Sequence, residues 1–167
     1  FAHLPMILGK DKKKLSKRQG ATSVFEYNDM GYLPDGVFNF LALLGWSPKN
    51  DREIFPMPEL IEIFNIHGLN KSPAVFDYDK LKWMNGEYIK NMGAAAWVDA
   101  TAPFLIAAGL TTEEEVAAKH DWFEKLYPLV AERMKRFTEA PEKLAFIFDG
   151  PKVTLDEKSV KKNLLKE

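Results

Sequence analysis

The chain contains one strongly basic stretch, KDKKKLSKRQG at residues 10–20. Six of the nine residues from Lys10 to Arg18 are lysine or arginine, and Asp11 is the one acid among them. The whole chain holds 23 basic and 24 acidic residues, so taking out this stretch leaves 17 against 23. Positive charge is therefore concentrated here. Gly20 follows, and glycine adopts backbone conformations closed to other residues, which is typical of a mobile loop that wraps an anion such as a polyphosphate.

Charge alone leaves a second interpretation of the basic stretch open. A solvated basic turn, or a patch of the nuclear-localisation kind, has the same composition and carries no phosphate chemistry. The residues on either side of the stretch are therefore needed to choose between the two interpretations.

The core of the stretch, KLSKR at residues 14–18, resembles the KMSKS signature loop of class I aminoacyl-tRNA synthetases, in the form typical of glutamyl-tRNA synthetases. Other segments resemble the same enzymes in the same order: FAHLPMILG at 1–9, GYLP at 31–34, NFLALLGWS at 39–47, NKSPAVFD at 70–77 and KLKWMN at 80–85. The resemblance is strong through about Met92 and diffuse after it. The ordered flanks favour the phosphate-binding interpretation of the loop.

The bulk composition limits the class of protein. A chain of 167 residues with 46% hydrophobic content can bury a core as one domain or two small ones. No apolar run approaches the roughly 20 residues that span a bilayer, so we expect no membrane partner. The absence of cysteine removes disulfides and Cys-type zinc sites and fits a cytoplasmic protein. With a net charge of -1, any RNA contact should come from local patches.

Two signatures of a complete class I synthetase are missing from the sequence. Such an enzyme needs a doubly wound nucleotide-binding fold with a HIGH-type motif and a glycine-rich turn. Here His3, His67 and His120 are isolated, and no Gly-x-Gly-x-x-Gly pattern occurs. The chain, which opens on Phe1, is therefore interpreted as a C-terminal piece of such an enzyme, starting just before the KMSKS-type loop and inactive by itself.

The predicted fold class is mainly α, in three parts. Residues 1–22 supply a short strand and the basic KLSKR loop from the end of a catalytic domain. The resemblance implies that residues 23–92 form an α-rich stem-contact domain and that residues 93–167 form the first part of an all-helical anticodon-binding region.

Capping and periodicity predict the helices of the first two parts. Pro34 and Gly45 bound an amphipathic helix, because apolar residues between them recur at helical spacing. Asp77 is a natural cap for a helix that runs to about Met92. The residues from Leu69 to Val75 are predicted to form a loop between them.

The last part also has helical spacing. The segment TTEE at residues 111–114 resembles the capped start of a helix, and residues 113–134 contain many strong helix formers. Further helices are predicted over about 141–148 and from about 156 to the end. A glutaminyl-tRNA synthetase would continue into β-barrels after the basic loop, and this spacing argues against that relative.

The resemblance implies the chemistry of the loop. In this family, glutamate and ATP form an enzyme-bound glutamyl adenylate and pyrophosphate, and glutamate then passes to the 3′ end of the tRNA. Lys14 and Lys17 match the two lysines of the motif and are the predicted catalytic residues. Ser16 and Arg18 complete the predicted ATP-binding set, and Leu15 would anchor the loop. ATP with Mg²⁺ is a substrate of the parent enzyme; no bound cofactor and no metal site are expected in this piece.

The resemblance also implies tRNA(Glu) as a partner, bound by a monomer. Lys71 and Ser72 match part of the region that touches the inside of the tRNA L, and Arg52 is a similar candidate. Arg133 and Arg136 lie in the implied anticodon-binding region. Lys71, Ser72 and Arg52 fit an ordinary surface equally well. Arg133, Lys135 and Arg136 are predicted to end a helix, where cations favour the helix dipole without any RNA, so RNA contact is the weaker interpretation of that group.

A second class of function stays open at this stage. The chain could be a noncatalytic helical module with a basic arm that binds RNA or a protein. His120 is interpreted as a plain surface residue under both hypotheses.

Overall fold

A computed structural model describes residues 3–16 and 23–148 of the chain. Helices dominate this part, so the prediction of a mainly α fold is confirmed. The elements are β1 (Ile7–Leu8), α1 (Glu26–Asp29), α2 (Pro34–Gly45), α3 (Met57–Ile63), β2 (Ala74–Val75), α4 (Tyr78–Asn91), α5 (Ala94–Ala107), α6 (Glu113–Ala118), α7 (His120–Glu124), α8 (Tyr127–Val130) and α9 (Ala140–Phe148). Short 3₁₀ turns lie at Ile66–Gly68, Ala131–Arg133 and Phe137–Glu139. The helix predicted from about residue 156 lies outside the described residues.

The two strands pair in parallel, with Ile7 opposite Ala74 and Leu8 opposite Val75. The prediction of a loop from Leu69 to Val75 is therefore wrong at its last two residues. A parallel partner nearly 70 residues away leaves no local turn signal, so periodicity could not reveal this strand.

The helix boundaries of the first half follow from local chemistry. Pro34 is the first residue of α2, where its missing N–H costs nothing, and the helix ends at Gly45 as predicted. Asp77 caps α4 as predicted, because its carboxylate accepts the backbone N–H groups of Asp79 at 2.9 Å and Lys80 at 3.2 Å.

The second half is built from short helices. The hydroxyl of Thr112 accepts the backbone N–H of Glu115 and caps α6, as the sequence predicts. The helix-rich run at 113–134 is divided into α6, α7, α8 and a 3₁₀ turn, since Lys119 leaves the helical conformation at φ -124° and ψ 27°. Within the described ranges, no helix is long and apolar enough to cross a bilayer.

The hydrophobic core of the described residues consists of three clusters. A first cluster holds Tyr27, Tyr32, Val37, Phe40, Phe76, Leu81 and Met84. A small second cluster surrounds Trp46, Phe55 and Leu60. The third fills the helical second half and includes Ile89, Trp97, Leu105, Phe123, Met134, Phe137 and Leu144. Helix α4 contributes to both the first and the third cluster, so this helix joins the two halves of the structure.

Candidate functional site

The basic stretch begins as a tight turn at the end of β1. The backbone N–H of Gly9 donates to the Lys13 carbonyl at 2.8 Å, and the N–H of Lys12 donates to the Gly9 carbonyl at 2.9 Å. Lys12 sits in the left-handed region at φ 59°. The chain then returns beside β1, where the Leu15 N–H donates to the Ile7 carbonyl at 3.0 Å. Backbone hydrogen bonds therefore fix the start of the loop.

The lysine side chains of this turn point into solvent. Lys10, Lys12, Lys13 and Lys14 are all exposed. Lys10 differs from its neighbours because its Nζ lies 2.5 Å from the Asp79 carboxylate. This hydrogen bond and the attraction between the charges raise the pKa of Lys10 and lower the pKa of Asp79 from their usual values. Both partners are solvated, so the pair orients the turn more than it stabilises the fold.

Leu15 anchors the turn, as the sequence predicts. Its side chain is half-buried and packs against the first hydrophobic cluster. A shallow hollow lies beside it, lined by Gly9, Lys10, Asp11, Leu15, Phe76 and Tyr78. Ser16 is exposed immediately after the anchor. Two of the predicted phosphate ligands, Lys14 and Ser16, thus lie together on the solvent side, and the other two, Lys17 and Arg18, lie outside the described residues.

Arg52 is placed very differently from the lysines of the turn. Its guanidinium contacts both carboxylate oxygens of Glu59, with Nη2 donating to Oε2 at 2.7 Å. Its Nε donates to the Ile54 carbonyl at 2.9 Å, and the group lies over the Phe55 ring at 4.6 Å from the centroid. These contacts occupy the bidentate face that an arginine would present to a phosphate. The arrangement is that of a residue that holds its own loop in place.

Lys71 and Ser72 lie on an exposed loop that leads into β2. Because β2 is parallel to β1, this loop lies at the end where β1 begins, whereas the basic turn follows the end of β1. The structure therefore places these two candidates at the opposite end of the strand pair from the lysine-rich turn. Within the described part of the chain, Lys71 has no ion pair.

Arg133 and Arg136 lie on the segment that connects two 3₁₀ turns of the second half. Arg133 is exposed and ends the first turn. Arg136 is half-buried, and its Nε lies 3.7 Å from the Glu139 carboxylate. The expectation that Lys135 and Arg136 end a helix is wrong: the chain is extended at Met134, and both residues follow it. A helix dipole therefore does not explain these two cations.

His120 is not the plain surface residue that the sequence suggested. Its ring is two-thirds buried, with Nδ1 3.1 Å from the Glu124 carboxylate and Nε2 3.4 Å from that of Asp99. It links α5 to α7. Of the described residues, His120, Asp121 and Glu124 also offer ligand atoms within 4.8 Å of one another, the spacing of a metal-binding group. Since the ring nitrogens already face the carboxylates of Asp99 and Glu124, contacts between these side chains account for the cluster.

The sequence did not predict the buried hydrogen bonds of two asparagines, although both lie in segments that carry the family resemblance. Asn39 accepts the Phe55 N–H at 2.9 Å and the Tyr88 hydroxyl at 2.7 Å. Asn85 accepts the Leu33 N–H at 2.8 Å and donates to the Lys135 carbonyl at 2.6 Å. A polar residue next to the apolar stripe of a helix was the available signal, since a buried amide has to find partners.

Comparisons with known proteins agree along the whole chain. Residues 1–83 match the model of the class I tRNA synthetases (E and Q), catalytic domain, and residues 96–167 match that of an anticodon binding domain. A glutamate–tRNA ligase of Clostridioides difficile is 44% identical over 93% of this chain and 31% of the ligase. One from Alkaliphilus metalliredigens is 47% identical over 80% of this chain and 27% of the ligase.

Solved structures give the same result. A crystal structure of glutamate–tRNA synthetase from Elizabethkingia anophelis superimposes with a TM-score of 0.78 at 31% identity, over 97% of this chain and 35% of that one. The chain spans about a third of the length of the relatives it matches. Because the chain matches the models of a class I tRNA synthetase catalytic domain and an anticodon binding domain, and these ligases are 44% and 47% identical to it, the chain belongs to the class I tRNA synthetases, in the glutamate–tRNA ligase family.

Proposed function

We propose that the chain serves the ATP-dependent attachment of glutamate to tRNA(Glu). In this proposal residues 1–22 supply the loop that binds the ATP phosphates, residues 23–92 contact the tRNA stem, and residues 93–167 begin the anticodon-binding region. Family membership supports the overall reaction. The geometry of the basic turn supports the assignment of the loop.

One observation carries the assignment of the loop. The turn is held by its backbone and by Leu15, while the side chain of Lys14 stays in solvent. A phosphate ligand needs this combination, because a cation contributes most when its position is set before the charge develops. A merely solvated basic turn requires neither a buried anchor nor a fixed backbone.

The chemistry of the loop follows from where charge moves. The carboxylate of glutamate attacks the α-phosphorus of ATP, the bond from that phosphorus to the bridging oxygen breaks, and the electron pair leaves with pyrophosphate. Lys14 and Lys17 neutralise the charge that builds up on the leaving phosphates, and Arg18 and Ser16 donate hydrogen bonds to their oxygens. Lys10 is paired with Asp79, so the turn offers Lys12, Lys13 and Lys14 as exposed cations, a donor set that suits phosphate oxygens. Mg²⁺ would accompany ATP on the phosphates themselves.

Contact with tRNA is proposed for the exposed cations that keep a free charge. Lys71 with Ser72 would touch the inside of the tRNA L, and Arg133 would face the anticodon arm. Arg136 is a weaker candidate because Glu139 faces its guanidinium, and Arg52 is weakest because Glu59 occupies its guanidinium. The protein is proposed to act as a monomer in the cytoplasm.

The test of the loop compares Lys14 with Lys10, two exposed lysines of the same turn, and adds Lys17. In a complete glutamate–tRNA ligase carrying these residues, Lys17→Ala and Lys14→Ala are expected to slow aminoacylation by roughly a hundredfold, or on the order of 3 kcal/mol each. Lys10→Ala is the matched control, because the Lys10 ammonium is already paired with Asp79. It should retain activity within about threefold.

The activities of these variants distinguish a loop that takes part in the reaction from a basic loop that does not. Equal losses in Lys14→Ala and Lys10→Ala would show that only total charge matters. Rates within about threefold of the parent for Lys17→Ala would reject the assignment of the loop as the site that neutralises the leaving phosphates.

A further inference from the structure

The first half of the structure, residues 23–92, and the helical half, residues 93–148, meet at a group of buried polar contacts. Asn85, in the middle of α4, has no exposed surface. Its Oδ1 accepts the Leu33 N–H at the start of α2, and its Nδ2 donates to the carbonyl of Lys135 in the helical half. One side chain thus ties α4 to a segment 52 residues before it and to another 50 residues after it. Both the oxygen and the nitrogen of the Asn85 amide have a hydrogen-bond partner, so these bonds fix the orientation of the side chain as well as its distance from each partner.

A glycine closes the same junction from the other side. The Phe137 N–H donates to the Gly31 carbonyl at 2.9 Å, and the Thr138 hydroxyl donates to the Met30 carbonyl at 3.3 Å. Gly31 is left-handed at φ 80°. A Cβ added there would lie 2.6 Å from the Thr138 nitrogen and 2.7 Å from the Phe137 nitrogen. The backbones of the two halves therefore approach more closely than any other residue would allow.

Helix α4 extends this junction to the candidate loop. Its first turn carries Asp79, which holds Lys10 of the basic turn. Its last turn carries Ile89, a fully buried member of the third cluster. The Tyr127 hydroxyl also donates to the Ile89 carbonyl at 3.1 Å. A single rigid helix therefore runs from the basic turn, past Asn85, into the core of the helical half.

We propose that Asn85 is a positioning residue that sets the orientation of the stem-contact half relative to the helical half. Asn85 itself is buried and touches no nucleic acid. It acts by holding the Lys135 segment, between Arg133 and Arg136, at a fixed place on α4. Two surfaces on one rigid body reach two parts of one tRNA without a further loss of orientational freedom. This inference rests on the proposed tRNA-binding function.

The orientation can be tested in the free chain without tRNA. The 167 residues contain no cysteine, so spin labels can be attached at two introduced sites, Glu62→Cys on α3 and Lys125→Cys after α7. Both side chains are exposed. The unaltered junction should give one narrow distribution of label-to-label distances. Asn85→Ala is expected to broaden that distribution about twofold, because it removes the bond to each half.

Each of the two junction variants, Asn85→Ala and Gly31→Ala, has a matched control. Asn91→Ala removes an exposed amide on the same helix, whose side chain donates to the Glu87 carbonyl one turn earlier. Gly31→Ala forces the backbones apart. Gly109→Ala places alanine at a similar left-handed φ, 70° against 80° at Gly31, where the added Cβ meets nothing within 4 Å. Circular dichroism checks that each variant keeps its helices. If Asn85→Ala fails to fold, Gly31→Ala against Gly109→Ala decides the question.

Binding then tests the consequence for tRNA. Asn85→Ala is expected to weaken binding of whole tRNA(Glu) about tenfold, while its affinities for an isolated anticodon stem-loop and for a tRNA lacking the anticodon arm stay within about twofold. A residue that only stabilises the fold would lower all three affinities together. That result, or distance distributions as narrow as in the unaltered chain for both junction variants, would overturn the proposal. An unaltered chain that binds no tRNA at low salt would instead reject the proposed function, and the label distances would still decide whether Asn85 sets the orientation.

Discussion

The contact between Asn39, Tyr88 and Phe55 gives a quantitative prediction about stability. Asn39 is fully buried, and its Oδ1 accepts both the Phe55 N–H and the Tyr88 hydroxyl. The same hydroxyl lies 2.6 Å from the Phe55 carbonyl. Three residues from α2, the segment before α3 and α4 thereby share one hydrogen-bond network. Removing one member should weaken the contacts of the other two.

The expected magnitudes follow from which groups each change leaves unpaired. Tyr88→Phe keeps the ring and removes one hydroxyl, while Asn39 keeps its bond from Phe55, so we expect a loss of about 1 kcal/mol. Asn39→Ala leaves the buried Phe55 N–H without its acceptor and opens a small void. It also removes an Nδ2 that has no partner in the structure, which offsets part of the cost, so we expect about 2 kcal/mol.

The double variant provides the sharper test. Asn39→Ala already removes one of the two acceptors of the Tyr88 hydroxyl, so the combined loss should fall short of the sum by about 0.5 to 1 kcal/mol. Urea unfolding followed by tryptophan fluorescence measures the free energy of unfolding of each variant. One common value is used for the slope of that free energy against urea concentration. Asn91→Ala, on the exposed face of α4, should change stability by less than about 0.5 kcal/mol. Losses that add within about 0.3 kcal/mol would show that the three residues do not act as a network.

Two further expectations concern RNA contact and alkaline pH. Lys71→Ala and Arg133→Ala should each reduce the slope of log affinity for tRNA against log salt concentration by about 0.7 to 1. Arg52→Ala should leave that slope unchanged, because Glu59 already pairs the Arg52 guanidinium. Equal slopes in all three variants would contradict this expectation. Burial raises the pKa of Tyr27 from 10.0 to about 12, so the folded chain keeps a proton that the unfolded chain releases near pH 10. Stability contributed by Tyr27 is therefore complete below pH 10 and is lost as the pH rises toward 12, and unfolding titrations should show a smaller loss over that window in Tyr27→Phe; an identical loss would refute the assignment.

Features set by neighbours in sequence could be predicted correctly. Pro34 and Gly45 bound α2, and Asp77 and Thr112 cap their helices, because each of these signals acts within four residues. The anchoring of Leu15 was also accessible, since an apolar residue inside a lysine-rich loop has few other roles. The resemblance to one family followed from the order of several motifs, which charge and periodicity could not have supplied.

Features set by distant pairing were beyond the sequence. Strand β2 exists because Ala74 and Val75 meet β1, and nothing in residues 69–75 announces that partner. Arg52 was a reasonable RNA candidate by charge, yet Glu59, seven residues later, occupies its guanidinium. His120 gained the Asp99 carboxylate only when α5 and α7 packed together, whereas Glu124 lies four residues further along its own helix. The sequence indicates which charged side chains are able to bind RNA, but only the fold shows which of them are already paired within the protein.

Residues on the two sides of the domain boundary expected near residue 92 pack against each other. Ile89 precedes that boundary and is fully buried in the cluster of the second half. Gly31 and Asn85 precede it too, and both bond to residues 135–137. Separating the halves would return Ile89 to water at a cost of about 2 kcal/mol and leave the amide of Asn85 half-satisfied. Since Lys10 of the basic turn pairs with Asp79 on the first turn of the same helix, we expect movement of the helical half relative to α4 to change its position relative to the loop proposed to bind ATP.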